Sequence, residues 1–154
     1  MRWLSLAGWI VLCFAVAGVS SVWTVSEVAG WYRTLARPSF APPDWLFGPV
    51  WSLLYLLMAL AAWRVWSMPA SDARTAGLVL FLVQLALNFG WSLLFFRQHA
   101  IGAALIEVAV LWVAILATIL AFRVVSPAAS WLLAPYLAWV SFATVLNGAF
   151  WRLN

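Results

Sequence analysis

The stretch from residue 75 to residue 96 reads TAGLVLFLVQLALNFGWSLLFF and contains no charged residue. An α-helix needs roughly 20 apolar residues to cross the hydrocarbon core of a bilayer, which is about 30 Å thick. Helical backbone groups bond to one another within the segment, as a lipid environment requires. The stretch therefore predicts a transmembrane helix.

Four further runs have the same character, and only one of them carries an ionisable residue deep within it, Glu107, about two turns into the fourth predicted helix. No segment alternates in the manner of a lipid-facing barrel strand. The sequence thus predicts an all-α integral membrane protein, a single domain over residues 1–154. Its five transmembrane helices are expected at about 3–25, 45–66, 75–96, 100–122 and 129–151.

The composition supports the lipid bilayer as the main partner of the chain. Hydrophobic residues make up 68% and charged residues 8%, whereas soluble domains are about 25% charged. The eight arginines are scattered singly near the predicted helix ends. This pattern is typical of anchoring at lipid headgroups and argues against nucleic-acid binding. Four arginines fall on each face, so charge does not predict the orientation.

Thirteen tryptophans are more than interfacial anchoring needs, and the surplus indicates an aromatic binding site. The connection over residues 26–44 is much longer than the others and contains three prolines, which prevent a continuous helix. Its apolar residues need cover, so we predict a lid over a site; the alternative is an interfacial loop anchored by aromatic rings. The residues assigned to the lid are Trp31, Leu35, Arg37, Pro38 and Ser39.

Three predicted helices each carry a stripe of aromatic residues, and two of these stripes also carry amides. The stripes are Trp51, Tyr55 and Met58; Gln84, Asn88, Trp91 and Phe95; and Tyr136, Trp139, Ala143 and Asn147. Amides are costly in hydrocarbon unless they are paired, so these faces should point inward. Converged, the stripes would line a flat-walled apolar pocket for a small molecule. The alternative is that they only hold the helices together.

Other features allow two readings each. Glu107 is a functional candidate because it lies inside a span, where it could relay protons or ions or pair with an arginine; the alternative is a structural role, in which a protonated Glu107 bonds a neighbouring helix. The small residues Ala73, Gly77, Ala86 and Gly90 would admit a second helix closely, from the same chain or from a homodimer through helix 3. Pro135 should kink the fifth span. The single histidine, the single cysteine and the four dispersed carboxylates argue against hydrolytic or metal-dependent chemistry and predict no metal site.

The motifs of the chain, in their order, closely resemble those of the TspO/translocator protein family. The matching stretches are WY at 31–32, LARPSFAPPDW at 35–45, GPVW at 48–51, YLLM at 55–58, QLALN at 84–88, Trp91, FF at 95–96, SP at 126–127, PYLAW at 135–139, FAT at 142–144 and LN at 146–147. They span essentially the whole chain.

The resemblance implies a receptor or sensor, from a bacterium, that binds tetrapyrroles such as protoporphyrin IX or haem under the first loop. It implies no tightly bound cofactor. Trp51 and Trp139 match tryptophans associated with porphyrin contact and with its light-dependent degradation, which makes a photo-oxidative enzyme the first alternative. A transporter of tetrapyrroles or sterols is the second.

The resemblance also assigns further positions. Ala143 matches the small residue of the drug site, and Asn88, Trp91 and Leu146 match other pocket positions. Arg33 and Arg37 are candidates for binding a propionate. The sterol motif of animal members needs a tyrosine between its leucine and arginine; no tyrosine separates Leu146 from Arg152, which argues against sterol binding there. Neither the residues nor the resemblance distinguishes an inner from an outer membrane.

Overall fold

The structure, a computed structural model, describes residues 2–154 and contains five segments long and apolar enough to cross a membrane. These segments are Arg2–Thr34, Asp44–Trp66, Asp72–Arg97, Ile101–Val125 and Pro127–Leu153. No strand occurs in the described part of the chain. The prediction of an all-α, multi-pass membrane bundle is confirmed.

Seven α-helices and two short irregular turns build these five segments. The helices are α1 (Arg2–Ala29), α2 (Trp31–Thr34), α3 (Phe47–Trp66), α4 (Asp72–Ser92), α5 (Ile101–Val125), α6 (Pro127–Leu132) and α7 (Ala134–Leu153). A 3-10 turn, Asp44–Leu46, precedes α3, and a π-helical turn, Leu93–Arg97, extends α4. Helices α1, α4 and α7 end at one face, here called the lid face; α3 and α5 end at the opposite face.

Local sequence explains where several helices begin and break. The Ser71 hydroxyl caps α4 by accepting a hydrogen bond from the Arg74 amide, and Ser126 caps α6 in the same way through Ala129. The fifth span breaks at Leu133, between α6 and α7. Pro135 causes this break because its ring clashes with the preceding turn and its nitrogen cannot donate a hydrogen bond.

The first connection is more helical than the sequence predicted. The prediction ended the first helix near residue 25 and left 26–44 irregular, but α1 continues to Ala29 and α2 follows immediately. The reason is that the prolines begin only at Pro38, so nothing before Gly30 stops the helix. The irregular part of the lid is therefore residues 35–43.

Helices α4 and α5 approach each other closely because α4 carries glycines at the contact. A Cβ atom placed on Gly77 would lie 3.1 Å from the Phe122 ring, and one on Gly90 would lie 3.1 Å from a carboxyl oxygen of Glu107. Both neighbours belong to α5 of the same chain. These two glycines thus serve packing within the bundle, and a homodimer through this span stays a prediction.

The buried residues form two clusters along the bundle. The larger one joins α1, α3, α4, α5, α6 and the start of α7. The smaller one lies under the lid and contains Tyr32, Phe95, Phe96, Ala104, Leu146 and Phe150. The lid therefore covers an apolar, ring-rich end of the bundle.

Candidate ligand-binding site

An aromatic cavity lies inside the lid face. Its walls come from α2, α3, α4, the π-helical turn and α7. Its volume is about 20 Å³, which is room for roughly one water molecule. The lining residues are Tyr32, Phe47, Trp51, Trp91, Phe95, Phe96, Trp139, Phe142, Ala143, Leu146, Asn147 and Phe150.

Three tryptophans from three spans form the walls. The rings of Trp51 on α3 and Trp139 on α7 meet edge to face, with centroids 6.5 Å apart. The Trp91 indole on α4 donates a hydrogen bond of 3.0 Å to the Asn147 side-chain oxygen. Asn147 in turn donates to the Ile101 carbonyl at 3.0 Å. This chain of bonds fixes the Trp91 ring across the gap between α4 and α7.

Tyr32 on α2 closes the cavity from above. Its side chain is only 2% exposed, and its ring lies 5.1 Å from that of Phe150. The Arg37 guanidinium sits over the outer face of the ring, 5.1 Å from its centroid. The Tyr32 hydroxyl is buried and has no hydrogen-bond partner among the described residues. The ring thus fills space in the site and contacts the Arg37 guanidinium through its face, while its hydroxyl makes no hydrogen bond in the described chain.

Ion pairs and hydrogen bonds fasten the lid above this ring. Asp44 accepts from Arg33 at 3.3 Å and from Arg37 at 3.2 Å, and Arg37 also donates to the Pro42 carbonyl. Both arginines that are candidates for binding a propionate are therefore engaged with Asp44. Their exposure to solvent makes these bonds weak, since surface ion pairs contribute about 0–1 kcal/mol.

Two further contacts tie the lid to distant parts of the chain. The Asn154 side chain accepts from the Ala36 amide at 3.0 Å and donates to the Ala36 carbonyl at 3.1 Å. His99 stacks on the Trp31 ring at 3.9 Å and bonds Glu27 at 2.8 Å. The lid is therefore held at its start and at its middle.

The residues that the sequence assigned to the lid lie in the segment but outside the cavity lining. Leu35 packs at the edge of the smaller cluster, and the Pro38 carbonyl accepts from Ala41 in a tight turn. Ser39 is exposed. Only Tyr32, which was not in the predicted set, reaches the cavity.

A buried polar network lies deeper in the bundle and joins α3, α4 and α7. The Tyr136 hydroxyl accepts from the Asn88 amide at 2.7 Å and donates to the Gln84 side-chain oxygen at 2.8 Å. The Tyr55 hydroxyl donates to Asn88 at 2.8 Å. The Gln84 amide reaches the Met58 sulfur at 3.9 Å. These polar groups bind one another, so the network joins the helices as interhelical glue.

The structure therefore divides the predicted pocket in two. Seven of the eleven predicted residues line the cavity: Trp51, Trp91, Phe95, Trp139, Ala143, Leu146 and Asn147. Four do not line the cavity and form the polar network instead: Tyr55, Gln84, Asn88 and Tyr136. Trp51 separates the two sets, with its ring 6.3 Å from that of Tyr136.

Five lining residues were not predicted: Tyr32, Phe47, Phe96, Phe142 and Phe150. Phe142 and Phe150 lie three residues after Trp139 and Asn147, so a longer α7 stripe would have included them. Phe96 was not predicted because regular helical spacing places only Phe95 on the inner face. The π-helical turn buries both residues. Tyr32 and Phe47 flank the irregular lid, where periodicity gives no signal.

Glu107 packs between α4 and α5 rather than in the cavity. One of its oxygens lies against Gly90, as described above, and both are buried. Neither oxygen has a hydrogen-bond partner within residues 2–154. Pairing of Glu107 with an arginine, one of the options raised by the sequence, is thus not found in the described chain.

Comparison with known proteins identifies the family. The family model described as TspO/MBR family matches residues 9–152. The chain belongs to the TspO/MBR family. The tryptophan-rich protein TspO of Chlorobaculum tepidum is 44% identical, over 98% of this chain and 96% of that protein. A protein of the same name from Archaeoglobus fulgidus is 39% identical, over 100% and 99% of the two chains.

Relatives of the TspO/MBR family also come from animals. The human translocator protein is 37% identical, over 99% of this chain and 91% of its own length. These alignments run through the lid, the cavity and the polar network alike. The similarity to the TspO/MBR family therefore covers essentially the whole chain.

Proposed function

We propose that this membrane protein is a receptor that binds tetrapyrroles, such as protoporphyrin IX or haem, in the aromatic cavity under the lid. One observation carries the proposal: Trp51, Trp91 and Trp139 converge from three different spans on one cavity, beneath the ring of Tyr32. Tryptophans that only anchored a protein in the membrane would point outward to the headgroups.

The chemistry of the walls suits a flat, apolar macrocycle. Indole and phenyl rings offer extended faces for stacking, and the small side chain of Ala143 leaves space among these rings. Asn147 is the one amide that lines the cavity, so polar contacts are few, as in most small-molecule sites.

Binding requires the cavity to open. Sites for ligands of this size enclose roughly 300–1,000 Å³, and the cavity measures about 20 Å³. Tyr32 is the lining residue that the lid segment carries, its hydroxyl is unbonded in the described structure, and the ion pairs of the segment are weak and exposed, so lifting the lid would withdraw this ring. When the lid lifts, Asp44 and its two arginines can separate, which frees guanidinium groups for acidic substituents at the mouth.

The names of relatives agree with a role in sensing or transfer of small molecules. A relative from Cereibacter sphaeroides, 36% identical over the whole chain, is named tryptophan-rich sensory protein. The human relative is named translocator protein. The relative from Chlorobaculum tepidum supports a bacterial membrane as the location.

Titration of the purified protein with protoporphyrin IX tests the proposal. We expect saturable quenching of tryptophan fluorescence, since the ligand would lie against the indoles of the cavity. The double variant Trp51→Phe, Trp139→Phe should weaken binding by about tenfold, because it replaces two of the three indole faces with smaller rings.

A matched control removes two tryptophans elsewhere. Trp3 and Trp131 are about three-quarters exposed and lie far from the cavity, so Trp3→Phe, Trp131→Phe should bind as the wild type does. Equal affinity in both double variants would rule out the cavity as the porphyrin site.

A further inference from the structure

We propose that the protein also binds the phosphate of an anionic phospholipid headgroup in a groove at the face opposite the lid. This groove has a volume of about 720 Å³ and is open to solvent. It lies between the first turns of α1, the end of α3 and the turn between α5 and α6. The residues that line it are Arg2, Ser5, Trp63, Arg64, Trp66, Ser67, Met68 and Ser126.

The charge of the groove is positive and uncompensated. Arg2 and Arg64 line it, and no carboxylate does. The three ion pairs found within residues 2–154 all lie at the lid face, between Asp44 and two arginines and between Glu27 and His99. A guanidinium without a protein partner is the group best suited to a phosphate, which it can bind through two parallel hydrogen bonds.

Tryptophans contact one arginine in the groove, Arg2, and one beside it, Arg74. The Arg2 guanidinium lies 5.4 Å from the centre of the Trp63 ring, and the Trp63 indole donates to the Arg2 carbonyl at 3.1 Å. Next to the groove, Arg74 lies 4.7 Å from the centre of the Trp66 ring, and its Nε is buried with no hydrogen-bond partner in the described chain. Arg2, one of the two arginines that line the groove, is therefore positioned before any anion arrives, which lowers the cost of binding.

Depth favours a lipid over a soluble phosphate. The 20 residues of α3 span about 30 Å, so its last turn reaches the headgroup layer of the bilayer. Trp66 and Met68 are 46% and 39% exposed at this rim. They offer apolar contact to the glycerol and upper acyl chain of a lipid, which a free phosphate lacks.

Thermal unfolding in a neutral detergent measures this binding. Cys13 is the only cysteine and is fully buried, so a maleimide dye reports unfolding when it reacts there. Phosphatidylglycerol should raise the melting temperature saturably, whereas phosphatidylcholine and glycerophosphate should not. The variant Arg2→Gln, Arg64→Gln should weaken the phosphatidylglycerol effect on the order of tenfold or more.

Arg123 provides the matched control. It is exposed at the same face but does not line the groove, so Arg123→Gln should respond within about twofold of the wild type. Arg64→Gln alone, at an exposed position, serves if the double variant does not fold. Equal stabilisation by phosphatidylcholine, an undiminished response of the groove variants, or an equal loss in Arg123→Gln would overturn the proposal. Stabilisation by glycerophosphate at the same concentration would overturn the assignment to a lipid.

Discussion

At the scale of single residues, Tyr136 shows how one aromatic side chain can serve stability instead of the site. Its hydroxyl both accepts and donates within the buried network of α4, and its ring faces Trp51 from below. The adjacent position in the stripe, Trp139, lines the cavity instead. Tyr136 and Trp139 thus lie in different layers of the bundle, the first in the polar network and the second at the cavity.

Removing the Tyr136 hydroxyl should therefore lower stability and spare binding. Tyr136→Phe leaves the Asn88 donor and the Gln84 acceptor unpaired in the core, a loss of about 1–3 kcal/mol in the free energy of unfolding. Tyr32→Phe is the matched control, because the Tyr32 hydroxyl has no partner to lose in the described structure. Unfolding in denaturant measures both. A loss of porphyrin affinity in Tyr136→Phe, with unchanged stability, would contradict the division of roles.

At the scale of elements, the lid is the part of the fold whose motion the proposed function needs. Two side-chain bonds from Asn154 hold its centre at Ala36, and Asp44 holds its two arginines. The ring of Tyr32 transmits the position of this segment to the cavity. The lid should thus open as a unit once these few contacts separate.

Loss of the two hydrogen bonds between the Asn154 side chain and the Ala36 backbone should speed ligand entry. Asn154→Ala removes both bonds to Ala36, so we expect faster amide hydrogen exchange over residues 35–43 and a higher association rate for protoporphyrin IX. Arg152→Ala, at an exposed position in the same helix, is the control. An unchanged exchange rate over the lid would show that other contacts hold it closed.

The sequence predicts the elements better than it predicts their ends and irregularities. Long runs with few or no charges predicted the five spans, because lipid tolerates few alternatives to a helix; Glu107 is the one ionisable residue deep within them. The π-helical turn at Leu93–Arg97 has no comparable signal, and it is this turn that brings Phe96 into the cavity. Periodicity identified the inner faces of α4 and α7 but could not separate Asn88 from Asn147, since pairing depends on neighbours in other helices.

At the scale of the whole molecule, the two ends of the bundle differ in chemistry. The lid face carries the ring-lined cavity and all the ion pairs of the described chain. The opposite face carries the open basic groove. The polar network and the larger cluster separate them. Changes in the groove should therefore leave porphyrin binding intact.

The most direct test of the account is to fill the cavity by enlarging the small side chain of Ala143. Ala143 lines the cavity and is nearly buried, so Ala143→Leu places a branched side chain where the macrocycle would lie. Ala128→Leu adds the same group at an exposed position of α6 and serves as the control. We predict that the dissociation constant for protoporphyrin IX rises by about tenfold or more in Ala143→Leu only. An unchanged dissociation constant in a folded Ala143→Leu protein would contradict binding in this cavity.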